Sequence, residues 1–321
     1  MLFEDNKIVD EIDEKIISIL IKNARENLNE IAKECSISSS SVLNRIEKLK
    51  KKDVIIGTRM NLKRGTLGYP FEASIGIIAE VPHIETVAQG IRKQSNVIVC
   101  TKSIGRYNML CLVVAQSTEE LDKVTQKIKN LQGVKGIAIN LWIDQPYFRY
   151  QEKDSSSGLD NEKLDSTDLE IIKELIKDAR TPFSKIAETL KISHETVRKK
   201  YLKLRKNGTI LGCSTIINWS KLGYQGTLFI FISQGKVSDK SNTFEELKKI
   251  PELFLITKLM GKFDILANAI TKNLKDTAKL VNEIQQIPSI EQIDVCFATF
   301  TYFSFAPMPR TPFQCDTLEL S

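Results

Sequence analysis

Residues 9–57 read VDEIDEKIISILIKNARENLNEIAKECSISSSSVLNRIEKLKKKDVIIG, and residues 164–212 read LDSTDLEIIKELIKDARTPFSKIAETLKISHETVRKKYLKLRKNGTILG. Shifted by 155 residues, the two stretches agree at 19 of 49 positions without a gap. The agreement continues outward: Leu67-Gly68-Tyr69 falls on Leu222-Gly223-Tyr224, and, one insertion later, Gly105-Arg106-Tyr107-Asn108 falls on Gly261-Lys262-Phe263-Asp264. The chain is therefore two copies of one unit of about 150 residues.

Each copy opens with three helical patterns. Ile16, Ile17, Leu20 and Ile21 form an apolar stripe at helical spacing, matched by Ile171, Ile172, Leu175 and Ile176. Asn27 with Glu30 three residues on has the form of a capping box, and Thr181-Pro182 that of a cap followed by proline. The third pattern turns Val42, Ile46 and Leu49 inward, matched by Val197, Tyr201 and Leu204. Its other face is basic. Two short helices joined by a turn, the second basic, outline a helix-turn-helix. The period then changes to that of strands, and each copy ends in the order β-α-β-β-α-β, a ferredoxin-like α+β arrangement. One face of that sheet is covered by its helices, so the other needs a partner, and the second copy's sheet is the obvious one. The expected organisation is a helix-turn-helix domain over 1–64, a ferredoxin-like domain over 65–150, a Ser/Gly-rich tether over 151–163, a second pair over 164–219 and 220–306, and a proline-containing tail over 307–321.

Composition narrows the chemistry. The formal net charge is +6, concentrated in two blocks: residues 36–64 carry +6 and residues 191–221 carry +7, with only Glu195 opposing in the latter. Such blocks point to two polyanion contacts. No apolar run is long enough to span a bilayer, and Met1 to Asp5 lacks the basic-then-apolar form of a secretion signal, so no membrane partner is expected. The six cysteines include no C-x-x-C pair, and the two histidines, His83 and His194, are too few for a metal centre or a histidine triad. No metal site, catalytic group or resident cofactor is expected, and a reducing, cytoplasmic setting is.

The ordered run V-D-E-I-D-E-K-I-I-S-I-L-I-K-N-A-R, N-E-I-A, S-I-S-S-S-S-V-L-N-R-I-E-K-L and V-I-I-G, and its second copy, resemble the Lrp/AsnC family of transcription regulators. The resemblance covers nearly all of residues 9–150 and 164–306. It implies winged helix-turn-helix DNA-binding domains and ferredoxin-like effector domains that pair sheet to sheet, with amino-acid-like effectors bound near a Gly-x-Tyr-Asp turn. Here that turn is Gly105-Arg106-Tyr107-Asn108 and Gly261-Lys262-Phe263-Asp264, so Asn108 lacks the carboxylate expected to meet an effector's ammonium group, and Phe263 replaces tyrosine. Tandem duplication suggests a pseudo-dimer within one chain, alone or within a homo-oligomer.

The residues expected to meet double-stranded DNA are Ser39, Ser40, Ser41, Asn44, Arg45, Lys48, Lys51 and Lys52 in the first copy. In the second they are His194, Thr196, Arg198, Lys199, Lys200, Lys203, Arg205 and Lys206. Basic side chains neutralise phosphates, and those near the helix start face base edges. Glu195 is read as a helix cap ahead of an acceptor for a cytosine amino group, Trp142 as sheet packing and Trp219 as a hinge contact. The helix-turn-helix units are expected at opposite ends of a paired-sheet core, reaching successive major grooves about 34 Å apart. Two other readings stand beside this one. Siroheme decarboxylases share the two-domain layout, some in tandem, and bind a tetrapyrrole with histidine and arginine residues; this chain has no histidine near either turn. An architectural or effector-sensing protein with weak DNA specificity is the other.

Overall fold

The computed structural model describes residues 8–149, 164–235 and 240–303. The expected tether and tail lie outside them. In chain order the first copy runs α1 (Glu11–Lys22), α2 (Leu28–Cys35), α3 (Ser39–Lys51), β1 (Ile55–Leu62), β2 (Phe71–Ala79), α4 (Ile84–Arg92), β3 (Val97–Gly105), β4 (Met109–Ala115), α5 (Thr118–Lys129), β5 (Val134–Trp142) and the short β6 (Tyr147–Phe148). The second runs α6 (Ser166–Lys177), α7 (Phe183–Leu190), α8 (His194–Lys206), β7 (Ile210–Ile217), β8 (Gly226–Gln234), α9 (Lys240–Lys249), β9 (Leu253–Gly261), β10 (Ile265–Thr271), α10 (Leu274–Gln285) and β11 (Ile290–Phe303). No helix among the described residues is long and apolar enough to cross a membrane.

The chain divides into two compact units, and the division is not copy by copy. One unit gathers both helix-turn-helix copies, the other both ferredoxin-like copies. The expectation of helix-turn-helix units at opposite ends of a sheet core is thereby overturned: the two heads pair with each other. Their joint is an antiparallel ribbon of β1 and β7. Arg59 faces Ser214, its own equivalent under the 155-residue shift, and Met60–Cys213 is mirrored by Thr58–Thr215. The backbone bond from Asn218 N–H to the Val54 carbonyl is mirrored by that from Lys63 N–H to Thr209. The ribbon thus carries a pseudo-twofold axis through Arg59 and Ser214. Each head leans on the other's strand. Ile217 is buried in the first head's core with Ile16, Ile31, Val42, Ile46 and Leu49, and Trp219 packs on the same cluster.

Helix starts are well defined. Asp10 and Asp165 are the N-caps of α1 and α6, each in a reciprocal capping box with the residue three positions on, Asp13 or Asp168. At α2, by contrast, Asn27 caps alone, accepting from Asn29 N–H, and its own N–H goes to Glu26 rather than Glu30. Pro182 itself occupies the cap position of α7, one residue later than expected. The α3 and α8 caps are Ser38 and Ser193, so Glu195 is not a cap.

In the other unit, β3-β4-β2-β5 and β11-β8-β10-β9 form two four-stranded sheets of ferredoxin-like order. They join at both edges, β3 to β11 and β5 to β9, so eight strands close into a ring and leave no free edge between the copies. Side chains alternate along each strand. Ile75, Ile77, Cys111 and Val113 face outward beneath Val87, Ile91, Val124 and Ile128 of α4 and α5, and the second copy repeats this beneath α9 and α10. Tyr107, Leu110, Phe231, Leu259, Phe263, Leu266 and Cys296 fill the ring's interior. Trp142 packs there and donates to Ser74 Oγ at 2.8 Å, in keeping with sheet packing.

Candidate nucleic-acid interface

Helices α3 and α8 bury Val42, Ile46 and Leu49, and Val197 and Leu204, against their heads. Helical geometry then dictates what points away. Ser40, Leu43, Asn44 and Glu47 on α3 are all exposed, as are Glu195, Arg198, Lys199 and Leu202 on α8. Both sets have the spacing i, i+3, i+4, i+7, at which a helix-turn-helix module presents side chains to base edges. Lys48 and Lys51, and Lys203 and Lys206, flank them and are exposed as well.

Several residues expected to meet DNA also bond within their own heads. The Arg45 guanidinium donates to Asp10 at 2.7 Å and to Asp13 at 2.8 Å. Lys200 does the same one copy later, reaching Asp165 at 2.6 Å and Asp168 at 2.9 Å. Asp13 and Asp168 are buried, so each cation ties the third helix to the capping box of the first. The hydrogen bond from Arg45 holds the Asp10 carboxyl below its ordinary value, and the one from Lys200 does so for Asp165. Lys52 donates to the Ile8 carbonyl. Ser39 donates to Asn29 Oδ1 at 2.6 Å. Ser41 and Thr196 sit within the caps, their hydroxyls 2.8 Å from those of Ser38 and Ser193. Arg45, Lys200, Lys52, Ser39, Ser41 and Thr196 are thus bonded within their own heads: the helical period that puts Arg45 and Lys200 on the flank also brings them over the first helix.

Arg205 points between the heads. With Asn23, Arg25, Phe183, Tyr201 and Cys213 it lines a cavity of about 260 Å³. Arg25 spans this joint, its guanidinium 4.6 Å from the Phe183 ring centroid and donating to the Ala179 and Thr181 carbonyls. Burial pulls its pKa down. His194 stays exposed at the start of α8, its ring 6.3 Å from Phe183. Arg198 makes a loose 3.7 Å pair with Glu195, both sides more than half exposed. Both outward faces are basic, the first with Lys48, Lys50, Lys51 and Lys52 exposed, the second with Arg198, Lys199, Lys203 and Lys206, and Glu47 is paired with Lys50 at 2.8 Å. Leu43 and Leu202 were missed from the sequence, although an apolar residue at an outward helical position is a readable signal.

The two Gly-x-x-Asn/Asp turns are built into the seams of the ring. Gly105 and Gly261 have φ of +134° and +159°. A Cβ at Gly105 would collide with the Val295 carbonyl oxygen, and one at Gly261 with that of Ile139. Tyr107 and Phe263 point inside, with ring centroids 5.8 and 5.1 Å from Phe231. The Asn108 amide is used on both sides by the Ala79 peptide, accepting its N–H and donating to its carbonyl. Asp264 accepts the equivalent N–H, that of Gln234, at 2.7 Å. Position 108 or 264 thus braces a strand end, and the Asn108 amide fills that role as the Asp264 carboxylate does. Arg106 and Lys262 remain exposed; Arg106 pairs with Asp294 at 2.9 Å. His83 pairs with Glu80 at 3.0 Å. Among the described residues no cluster of His, Cys, Asp and Glu could hold a metal ion.

Comparison with known proteins agrees with this architecture. Residues 9–56 match the family described as winged helix-turn-helix DNA-binding, residues 164–205 the AsnC-type helix-turn-helix domain, and residues 72–151 the Lrp/AsnC ligand binding domain. The HTH-type transcriptional regulator LysM of Sulfurisphaera tokodaii is 37% identical over 144 residues, which is 42% of this chain and 98% of that protein. The regulatory protein AsnC of Haemophilus influenzae is 30% identical over 132 residues, 41% of this chain and 88% of that protein. Among solved structures, the siroheme decarboxylase NirDL superposes with a TM-score of 0.64 over 91% of this chain and 92% of its own, at 16% identity, a likeness of fold alone.

Proposed function

The chain belongs to the Lrp/AsnC family of helix-turn-helix transcriptional regulators, and from that premise we propose that it is a sequence-specific DNA-binding regulator whose two heads, carried on one polypeptide, engage one duplex together. The observation that carries this reading is the pair of exposed quartets on α3 and α8, related by the pseudo-twofold axis of the β1–β7 ribbon. Asn44 suits bidentate bonding to adenine and Arg198 to guanine. Lys48 and Lys51 on the first head and Lys199, Lys203 and Lys206 on the second supply the phosphate contacts. The ring unit serves as pairing platform, and Lys262, exposed at the second turn, is the group we assign to the carboxylate of an amino-acid-like effector. Its equivalent Arg106 is engaged by Asp294.

The regulator reading is preferred to the tetrapyrrole enzyme. His83 sits in the turn before α4 and is paired with Glu80, and His194 belongs to the helix-turn-helix unit. Neither is on a strand leading to the Gly105 or Gly261 turn. A cytoplasmic setting is part of the proposal; Cys35, Cys100, Cys111, Cys213 and Cys296 are all free thiols.

The experiment is selection of bound duplexes from a random pool by the whole chain, followed by affinity measurement at several salt concentrations. The expected outcome is an enriched sequence with a salt slope lost in part on Lys203→Ala and Lys206→Ala. Equal affinity for all duplexes points to an architectural protein instead. A coloured preparation that takes up added tetrapyrrole and ignores DNA overturns the proposal.

A further inference from the structure

Two large apolar side chains stand among the polar ones on the outward faces. Leu43 is 46% exposed and Leu202 50% exposed. Neither belongs to the core of its head. Water contact at such positions is unfavourable unless another surface covers them. Their positions are not equivalent. Under the 155-residue shift Leu43 corresponds to Arg198, and Leu202 to Glu47. Leu43 is the fifth residue of α3 and Leu202 the ninth of α8, so the apolar contact moves by four residues, one turn, between the two faces. At 1.5 Å per residue this is about 6 Å along the helix, close to two base-pair steps of about 3.4 Å.

In the major groove the only apolar feature of a base edge is the 5-methyl group of thymine. Each leucine sits in a quartet otherwise made of hydrogen-bonding residues: Ser40, Asn44 and Glu47 in the first head, Glu195, Arg198 and Lys199 in the second. We propose that Leu43 and Leu202 each read a thymine methyl, and that their one-turn offset makes the preferred DNA site asymmetric, with the two thymines displaced by about two base pairs from mirror positions. This rests on the DNA-binding reading above and adds a specificity that neither the positive charge nor the pseudo-twofold ribbon requires. A symmetric pair of heads would select a palindrome. Here the frame is symmetric and the reading side chains are not.

The test uses the whole chain and the duplex enriched by selection. Each thymine is replaced in turn by deoxyuridine, which removes the methyl and nothing else. Burial of one methyl corresponds to about a fourfold change in affinity. The wild-type chain is expected to lose about three- to fivefold at one thymine in each half-site. Leu43→Ala should abolish the penalty in one half and leave the other, and Leu202→Ala should do the reverse. Both residues are exposed, so the variants should unfold at the wild-type denaturant midpoint. If duplexes are selected but both variants keep the wild-type uracil profile, or if the sensitive thymines fall at mirror positions, this proposal is overturned and the DNA reading stands. If no duplex is bound at all, the DNA reading fails and takes this proposal with it.

Discussion

Arg45 and Lys48 are three residues apart on one helix and both are expected to touch DNA, but Arg45 is bonded to two carboxylates while Lys48 stands exposed. Replacing each with alanine should separate stability from binding. Arg45 donates to Asp10 and Asp13, and Asp13 is only 5% exposed. Without the guanidinium, Asp13 keeps only the Asp10 N–H, at 3.3 Å, among the bonds of the capping box. Leaving a buried charged acceptor short of a partner costs roughly 1–3 kcal/mol, and loss of one member of a fully buried pair more, about 3–5 kcal/mol. The Asp10 side is over half exposed and screened, so little is added there. Arg45→Ala should therefore destabilise the helix-turn-helix unit by about 2 kcal/mol. It should leave the salt dependence of DNA binding unchanged. Lys48→Ala should alter stability by less than about 0.5 kcal/mol. It should reduce the slope of log affinity against log salt by about one. The assay is urea unfolding in a Trp142→Phe background, where Trp219, packed on the first head's core, is the remaining tryptophan. Anisotropy titrations at four salt concentrations complete it. A reduced slope with undiminished stability for Arg45→Ala would mean that this side chain leaves its carboxylates for a phosphate, and the assignment would be wrong.

Three further outcomes are expected. Asp10 and Asp165 have pKa values lowered from 3.8 by the hydrogen bonds from Arg45 and Lys200, so the folded chain binds these protons more weakly than the unfolded one; the stability they confer is complete above the unfolded value and is lost as pH falls below 3.8, a decline that Arg45→Ala should flatten in acid titrations of unfolding. Burial pushes the Cys100 thiol up to about 12 and raises Cys111 as well, so in the native chain both should resist iodoacetamide at pH 8 and react only on unfolding, as mass spectrometry of the labelled peptides can check. Asp264→Asn keeps an acceptor for Gln234 N–H and should be nearly silent, whereas Asn108→Asp loses the donor to the Ala79 carbonyl and should lower the stability of the ring unit by about 1 kcal/mol in thermal melts.

Much of the fold was legible because its cause is local. The β-α-β-β-α-β order of each copy appears as expected, its Met109–Ala115 and Ile265–Thr271 strands being near-continuous apolar runs that start directly after the Gly-x-x-Asn/Asp turns. The exposed face of α8 was legible for the same reason: burying Val197 and Leu204 forces Lys199, Lys203 and Lys206 outward. Where local reasoning was incomplete, a distant partner supplied the rest. Arg45 and Lys200 read from the sequence as basic surface residues, and only the fold shows two carboxylates of a first helix beneath each of them. Asn108 looked like a lost ligand group until the Ala79 peptide claimed both ends of its amide.

From the sequence alone came the duplication, the order of elements in each copy and the helix that turns basic residues to solvent, because spacing along one chain sets which side chains share a face. The pairing of the two sheets was expected, but only tertiary structure decided that the heads also pair, through one ribbon of equivalent strands. It also decided that the sheets join at both edges, β3 to β11 and β5 to β9, since unpaired strand edges need a partner and no periodicity within a copy encodes which distant edge that will be.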